Sequence, residues 1–154
     1  MIQRIQSVYF FLAGLLPAFL FFVPAVELQQ KQGGESAYEL TALALRNLAG
    51  EVQSVPYGIL LFAGLAVVLP WIALFCYKQR VRQIRLANFH LLTIVVLCIS
   101  IMAYGYSFAG GGLDTQMKLD WGIALPILSY VFGYLARRGV RQDEALIRST
   151  ERFR

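Results

Sequence analysis

The sequence is poor in charge, in histidine and in cysteine. Only 15% of its 154 residues are charged while 58% are hydrophobic; soluble domains carry about 25% charged residues. A water-soluble chain of this length could not bury so much apolar surface, and a disordered one would not contain it. The length suits a single domain, residues 1–154, and the composition places it among integral membrane proteins. His90 is the sole histidine, too few to complete a zinc site or to pair as the second ligand of a two-histidine haem. Cys76 and Cys98 form no Cys-x-x-Cys pair and fall in or beside apolar runs, which argues against a thiol-redox enzyme working at an oxidising surface. No catalytic, cofactor-binding or metal-ligating residue is assigned, and no cofactor is expected.

Four long stretches lack any charge: Ile5–Val26, Val52–Tyr77, Leu86–Leu113 and Trp121–Ala136. About 20 apolar residues in a helix cross a ~30 Å hydrocarbon core. Runs such as Leu91–Ile101 do not alternate as barrel strands would. The spacing therefore predicts an all-α, integral membrane four-helix bundle, with spans at about 6–26, 55–77, 87–108 and 119–137. The first run also has the outline of a signal peptide, with Val23-Pro24-Ala25 as a cleavage site. Its length favours a retained span.

Charge sorts by segment. The stretch 27–54 is net −2 and the third connection net −1, whereas the link Lys78–Arg85 is net +4 and the tail 137–154 net +3. The positive-inside rule then puts both termini and the basic link in the cytoplasm. Tyr104, Tyr106 and Trp121 would anchor the outer rim, and Tyr77 and Tyr134 the inner one. Orientation and attraction to anionic lipid headgroups account for the arginines without nucleic acid.

Apart from Asp120 and Arg137 at the two ends of the fourth, the spans hold no Asp, Glu, Lys or Arg, which disfavours an ion-coupled transporter working alone. Pro17, Pro70 and Pro126 fall mid-span, so each should kink its helix and free a carbonyl that needs a neighbour. Gly14, Gly58, Gly64, Gly105, Gly122 and Gly133 offer close-approach surfaces. In the first connection, Ser36-Ala37-Tyr38-Glu39 fits a capping box and Leu40, Leu43, Ala44, Asn47 and Leu48 continue at helical spacing. A short helix is expected there; the rival is a hairpin turning at Gly33-Gly34, pairing Val26–Lys31 with Ala37–Leu43. Gly110-Gly111-Gly112 reads as a flexible turn. Residues 138–154 read as a short amphipathic cytoplasmic helix interrupted near Gly139.

Three segments carry a resemblance: Met1-Ile2-Gln3-Arg4-Ile5-Gln6, Lys78-Gln79-Arg80-Val81-Arg82-Gln83-Ile84-Arg85, and Arg141-Gln142-Asp143-Glu144-Ala145-Leu146-Ile147-Arg148-Ser149, with Leu40-Thr41-Ala42-Leu43 in support. Over essentially its whole length the chain resembles a domain-of-unknown-function family of four-span bacterial inner-membrane proteins of this size. The resemblance implies the fold and the compartment, and carries no activity to any residue.

The functional expectation is a non-enzymatic accessory or scaffold subunit that packs beside other integral membrane proteins. A small homo-oligomeric transporter or channel built on the proline kinks is the alternative. A lipid- or quinone-directed enzyme is a second alternative, and it would want clustered His, Asp or Glu at a leaflet surface. The candidate partner or lipid-headgroup face is Arg4, Arg80, Arg82, Arg85, Asp143, Glu144 and Arg148. Four crossings bring these together on the cytoplasmic side, where Asp143 or Glu144 could pair with a loop arginine.

Overall fold

A computed structural model describes residues 2–30, 36–47, 49–77, 79–110 and 115–151. Helix α1 (Ile2–Ala18) runs into a 3-10 turn, Phe19–Phe21. Strands β1 (Val26–Gln30), β2 (Ser36–Leu40), β3 (Leu45–Asn47) and β4 (Val52–Ser54) follow. Helices α2 (Tyr57–Phe75) and α3 (Arg80–Gly110) come next, then β5 (Thr115–Leu119), a 3-10 turn at Trp121–Ile123, and α4 (Ala124–Glu151). Each helix packs against its neighbours in the chain, and α4 returns against α1, closing a ring of four.

The expected all-α bundle is corrected by a five-stranded antiparallel sheet of order β4-β3-β2-β1-β5. It caps the end of the ring opposite the termini. Alternation explains it. Val26 and Leu28 on β1 and Leu40 on β2 point inward and are buried, as is Leu45, while Glu27 and Glu39 lie between them in sequence. In register, Leu40 faces both Val26 and Leu45, and Leu28 faces both Tyr38 and Met117. The buried face joins Ile59, Ala63, Ala66, Ile94, Leu97 and Ile101 of α2 and α3 in one apolar cluster. A single cross-strand row reads Arg46, Glu39, Glu27, Lys118, so the two adjacent glutamates are flanked by cations. Such opposite-charge pairs contribute about 0.2–1 kcal/mol each.

The short outer-loop helix is therefore not formed, and the hairpin is. The apolar residues at helical spacing are split instead by a tight turn. The Thr41 hydroxyl donates to the Ala44 carbonyl at 3.0 Å and accepts from the Ala44 N–H at 3.2 Å, and this reverses the chain from β2 into β3. Glycines 33 and 34, where the hairpin was expected to turn, lie outside the described residues, as do Gly111 and Gly112.

Two described helices, Tyr57–Phe75 and Arg80–Ala109, are long and apolar enough to cross a membrane, which supports membrane association. Four such spans were expected. The first run is shortened to Ile5–Phe21 because residues 26–30 enter the sheet. The fourth, expected from 119, loses 119–123 to the end of β5, Asp120 and a 3-10 turn, so only Ala124–Ala136 precedes Arg137. Three further corrections follow. The basic link is mostly the first two turns of α3. The tail is not a separate helix, since α4 runs unbroken through Gly139. Pro126 occupies the first turn of α4, where its missing N–H costs no helical bond, so it is no mid-helix kink.

Candidate functional site

Two groups of polar side chains lie between the helices. The first is deep inside. Pro17 and Pro70 stand within α1 and α2 and lack an N–H, so the carbonyls of Ala13 and Ala66 lose their i+4 donors. Ser129 on α4, fully buried, reaches across and donates its hydroxyl to the Ala13 carbonyl at 2.6 Å. The same oxygen lies 3.3 Å from Nε2 of His90 on α3. Because the Ser129 proton is directed at Ala13, the contact is made by Nε2–H donating, which fixes the neutral tautomer of the ring. On that tautomer Nδ1 carries no proton, and it makes no hydrogen bond among the described residues. Gly133, one turn beyond Ser129, makes the room: a Cβ there would sit 2.8 Å from His90 Cδ2. One serine on α4 thus satisfies the carbonyl freed in α1, and His90 of α3 donates to the same hydroxyl oxygen.

The second group lies where the two termini and the α2–α3 turn meet. A cavity of about 190 Å³ is lined by Gln6 and Ser7 of α1, Tyr77 of the α2–α3 turn, Arg80 and Gln83 at the start of α3, and Val140 and Asp143 of α4. Gln6 Nε2 donates to Asp143 Oδ2 at 2.8 Å, and Arg80 Nη1 donates to the Asp143 main-chain carbonyl at 3.2 Å. Gly139 admits the Gln6 stem, since a Cβ there would meet Gln6 Cγ at 2.9 Å; that is why the helix carries glycine without breaking.

Of the residues assigned to the cytoplasmic face, Arg80 and Asp143 are brought together, through the main-chain carbonyl of Asp143. Arg82 and Arg85 are exposed and Glu144 is half-buried, with a partner of its own. The side chains of Arg4 and Arg148 lie outside those described. Gln6, Gln83 and Ser129 were not singled out from sequence. Gln6 and Gln83 carry no charge, Gln83 sits among arginines, and a serine in an apolar helix is unremarkable until the proline opposite it is known. Close approach by glycine holds at Gly14, where a Cβ would fall 2.6 Å from Trp71 Nε1, and at Gly122, but Gly64 faces open space. Among the described residues no three His, Cys, Asp or Glu are grouped as metal ligands would be.

These features define a small, mainly helical, membrane-associated protein with a strand cap at one end and a polar cavity at the other. The chain matches, over residues 2–153, the family described as a domain of unknown function, DUF4293, and belongs to it. No curated protein matches the chain in sequence.

Proposed function

We propose that the chain is a multi-pass protein of the bacterial inner membrane, with both termini in the cytoplasm, that serves as a non-enzymatic accessory or scaffold subunit of a larger membrane complex. The observation that carries the reading is the outer girth of the helix ring. Large apolar side chains stand exposed on every helix: Val8 and Phe11, Leu61 and Val68, Leu92 and Ile99, Ile127 and Val131. Exposed aromatics bound this belt, with Phe22, Tyr57, Tyr106 and Trp121 at the sheet end and Phe75, Tyr77 and Tyr134 toward the other. From Tyr57 to Phe75 the helix rises about 27 Å, close to the ~30 Å of a hydrocarbon core. On this reading α1 and α4 cross beside the two apolar helices they pack against. Arg80, Arg82 and Arg85 lie at the cytoplasmic surface, and the sheet lies outside.

The scaffold role rests on what the interior polar groups do. Ser129 is committed to the Ala13 carbonyl and His90 Nε2 to Ser129, a use that holds helices together. The lipid-facing belt and the basic cytoplasmic end are then the surfaces left for partners, which are other integral membrane proteins and anionic headgroups. Purification in mild detergent followed by mass spectrometry of co-purifying chains tests it. A reproducible set of other inner-membrane proteins in fixed ratio is expected; recovery of this chain alone, or only as a multimer of itself, would overturn the accessory role.

A further inference from the structure

A second cavity, of about 470 Å³, runs along α4 and is lined by Tyr134, Arg137, Arg138, Arg141, Gln142 and Ala145. Its size is that of an ordinary ligand site, roughly 300–1,000 Å³. Half of the lining residues are arginines and none is acidic; Asp143, the next acid along the chain, accepts from Gln6 instead. Tyr134, Arg138, Arg141 and Ala145 recur at helical spacing and are exposed, so the cations stand on one outward stripe. Arg137 gives an independent indication. It is half-buried, and its Nε–H is shut off from solvent with no hydrogen-bond partner among the described residues. Buried polar groups are almost always paired. A guanidinium that has given up hydration beside a cavity with no acid in its wall calls for an anion from outside the chain, and the terminal N–H groups of the same fork are the donors left to hold it.

The height of the cavity decides the kind of anion. Arg137 is the first charge after the uncharged stretch Ala124–Ala136, and the exposed Tyr134 stands one turn before it, where aromatic rings mark the headgroup level. On the membrane reading above, the arginines lie among the phosphates of the cytoplasmic leaflet. A single phosphodiester sets one negative charge against three cations. From Arg137 and Arg138 to Arg141 the helix rises about 4.5–6 Å, a distance that two phosphates joined through one glycerol can span. Building on that membrane reading, we propose that this cavity binds the headgroup of diphosphatidylglycerol. One phosphate is held by Arg137 and Arg138 and the other by Arg141, whose forks suit paired donation to phosphate oxygens. A zwitterionic headgroup brings its own ammonium against the arginines, and phosphatidylglycerol fills one of the two phosphate positions, so both should bind less well.

The test uses the full chain in nanodiscs of phosphatidylethanolamine that also hold diphosphatidylglycerol and phosphatidylglycerol at equal phosphate, released for native mass spectrometry. One retained diphosphatidylglycerol per chain is expected in preference to the other two lipids. Arg138→Gln combined with Arg141→Gln should lower that retention about thirtyfold, as loss of two surface arginines implies. Both side chains are exposed, so the fold persists, as circular dichroism and elution volume would verify. Ala145→Glu keeps every arginine but places a carboxylate in the wall, and it should abolish the preference. Phosphatidylglycerol held as strongly per phosphate would leave a charged surface without a site and overturns the proposal, as does a preference that survives either variant. So does stabilisation of the delipidated protein by inorganic phosphate with no lipid retained, which would make the ligand a free anion. Alkaline extraction separates this site from the reading it rests on. A chain that stays with the membrane but shows no preference refutes the site alone, and a chain that is released refutes both.

Discussion

Ser129 completes a helix other than its own, and a double-mutant cycle can measure this. In Ser129→Ala the Ala13 carbonyl loses the hydroxyl that bonds it at 2.6 Å, and His90 Nε2 loses the oxygen 3.3 Å away. Pro17 offers no main-chain donor to replace the first. A buried group left unpaired costs about 1–3 kcal/mol, whereas interhelical hydrogen bonds in membranes average only ~0.6 and reach ~1.7 kcal/mol. With two groups stranded and some relaxation between helices, the expected loss is about 2 kcal/mol. Pro17→Ala restores an N–H at the position that would bond Ala13 within α1. In that background Ser129→Ala should therefore cost about 1 kcal/mol less, a coupling well above the ~0.3–0.5 kcal/mol scatter of independent sites. Reversible unfolding in mixed micelles, titrated with a denaturing detergent and followed by circular dichroism, gives the four stabilities. Equal losses from Ser129→Ala with and without Pro17 would refute the view that the serine replaces the bond the proline removed.

Gly122→Ala should destabilise by about 1–3 kcal/mol, because a Cβ there would overlap the Pro24 carbonyl and lie 2.9 Å from the Ala25 Cα, main-chain atoms that cannot rotate aside; a melting temperature in detergent unchanged by the substitution would count against this packing. With Cys76 and Cys98 replaced, a cysteine at Ser54 should react with an impermeant maleimide from outside and one at Gln142 only after the membrane is opened; the reverse pattern would invert the proposed orientation. Asp143→Lys combined with Glu144→Lys should leave the chain embedded but reduce the yield of co-purifying partners severalfold in a pull-down. Unchanged companions would leave that face as an orientation signal.

The helices were legible because a long uncharged run has few other physical solutions, and α2 and α3 fall close to where such runs predict them. The strands were harder for two reasons. Val26 ends the first charge-free run, and the short fourth run is extended past Asp120 to take in Leu119, so the ends of both strands are absorbed into neighbouring spans. Tyr38–Leu48 offers apolar residues at both helical and alternating spacing, and the choice turns on Thr41 closing a turn with Ala44, a local bond that composition does not announce. The polar centre was half legible. The prolines predicted freed carbonyls, but which side chain would reach them depends on helix packing, which brings residue 129 beside residue 13. Charge alone pairs Asp143 or Glu144 with a loop arginine; that Arg80 meets the main-chain carbonyl of Asp143, and that Gln6 meets its carboxylate, depends on how α4 packs against α1 and α3.

The order of strands in the sheet also bears on how the protein is made. Strands β1 to β4 come from one continuous stretch and can pair as soon as it is synthesised. Strand β5 arrives only after α2 and α3, and it zips onto the open edge of β1 with Asp120 N–H donating to the Ala25 carbonyl at 3.2 Å. That edge can close only when the end of α1 and the start of α4 have reached the same side. A chain halted after α3, or one whose α4 failed to return beside α1, would keep an unpaired strand edge on display, the kind of surface on which chains aggregate. The cap thereby makes correct placement of the final segment a condition for hiding the first strand.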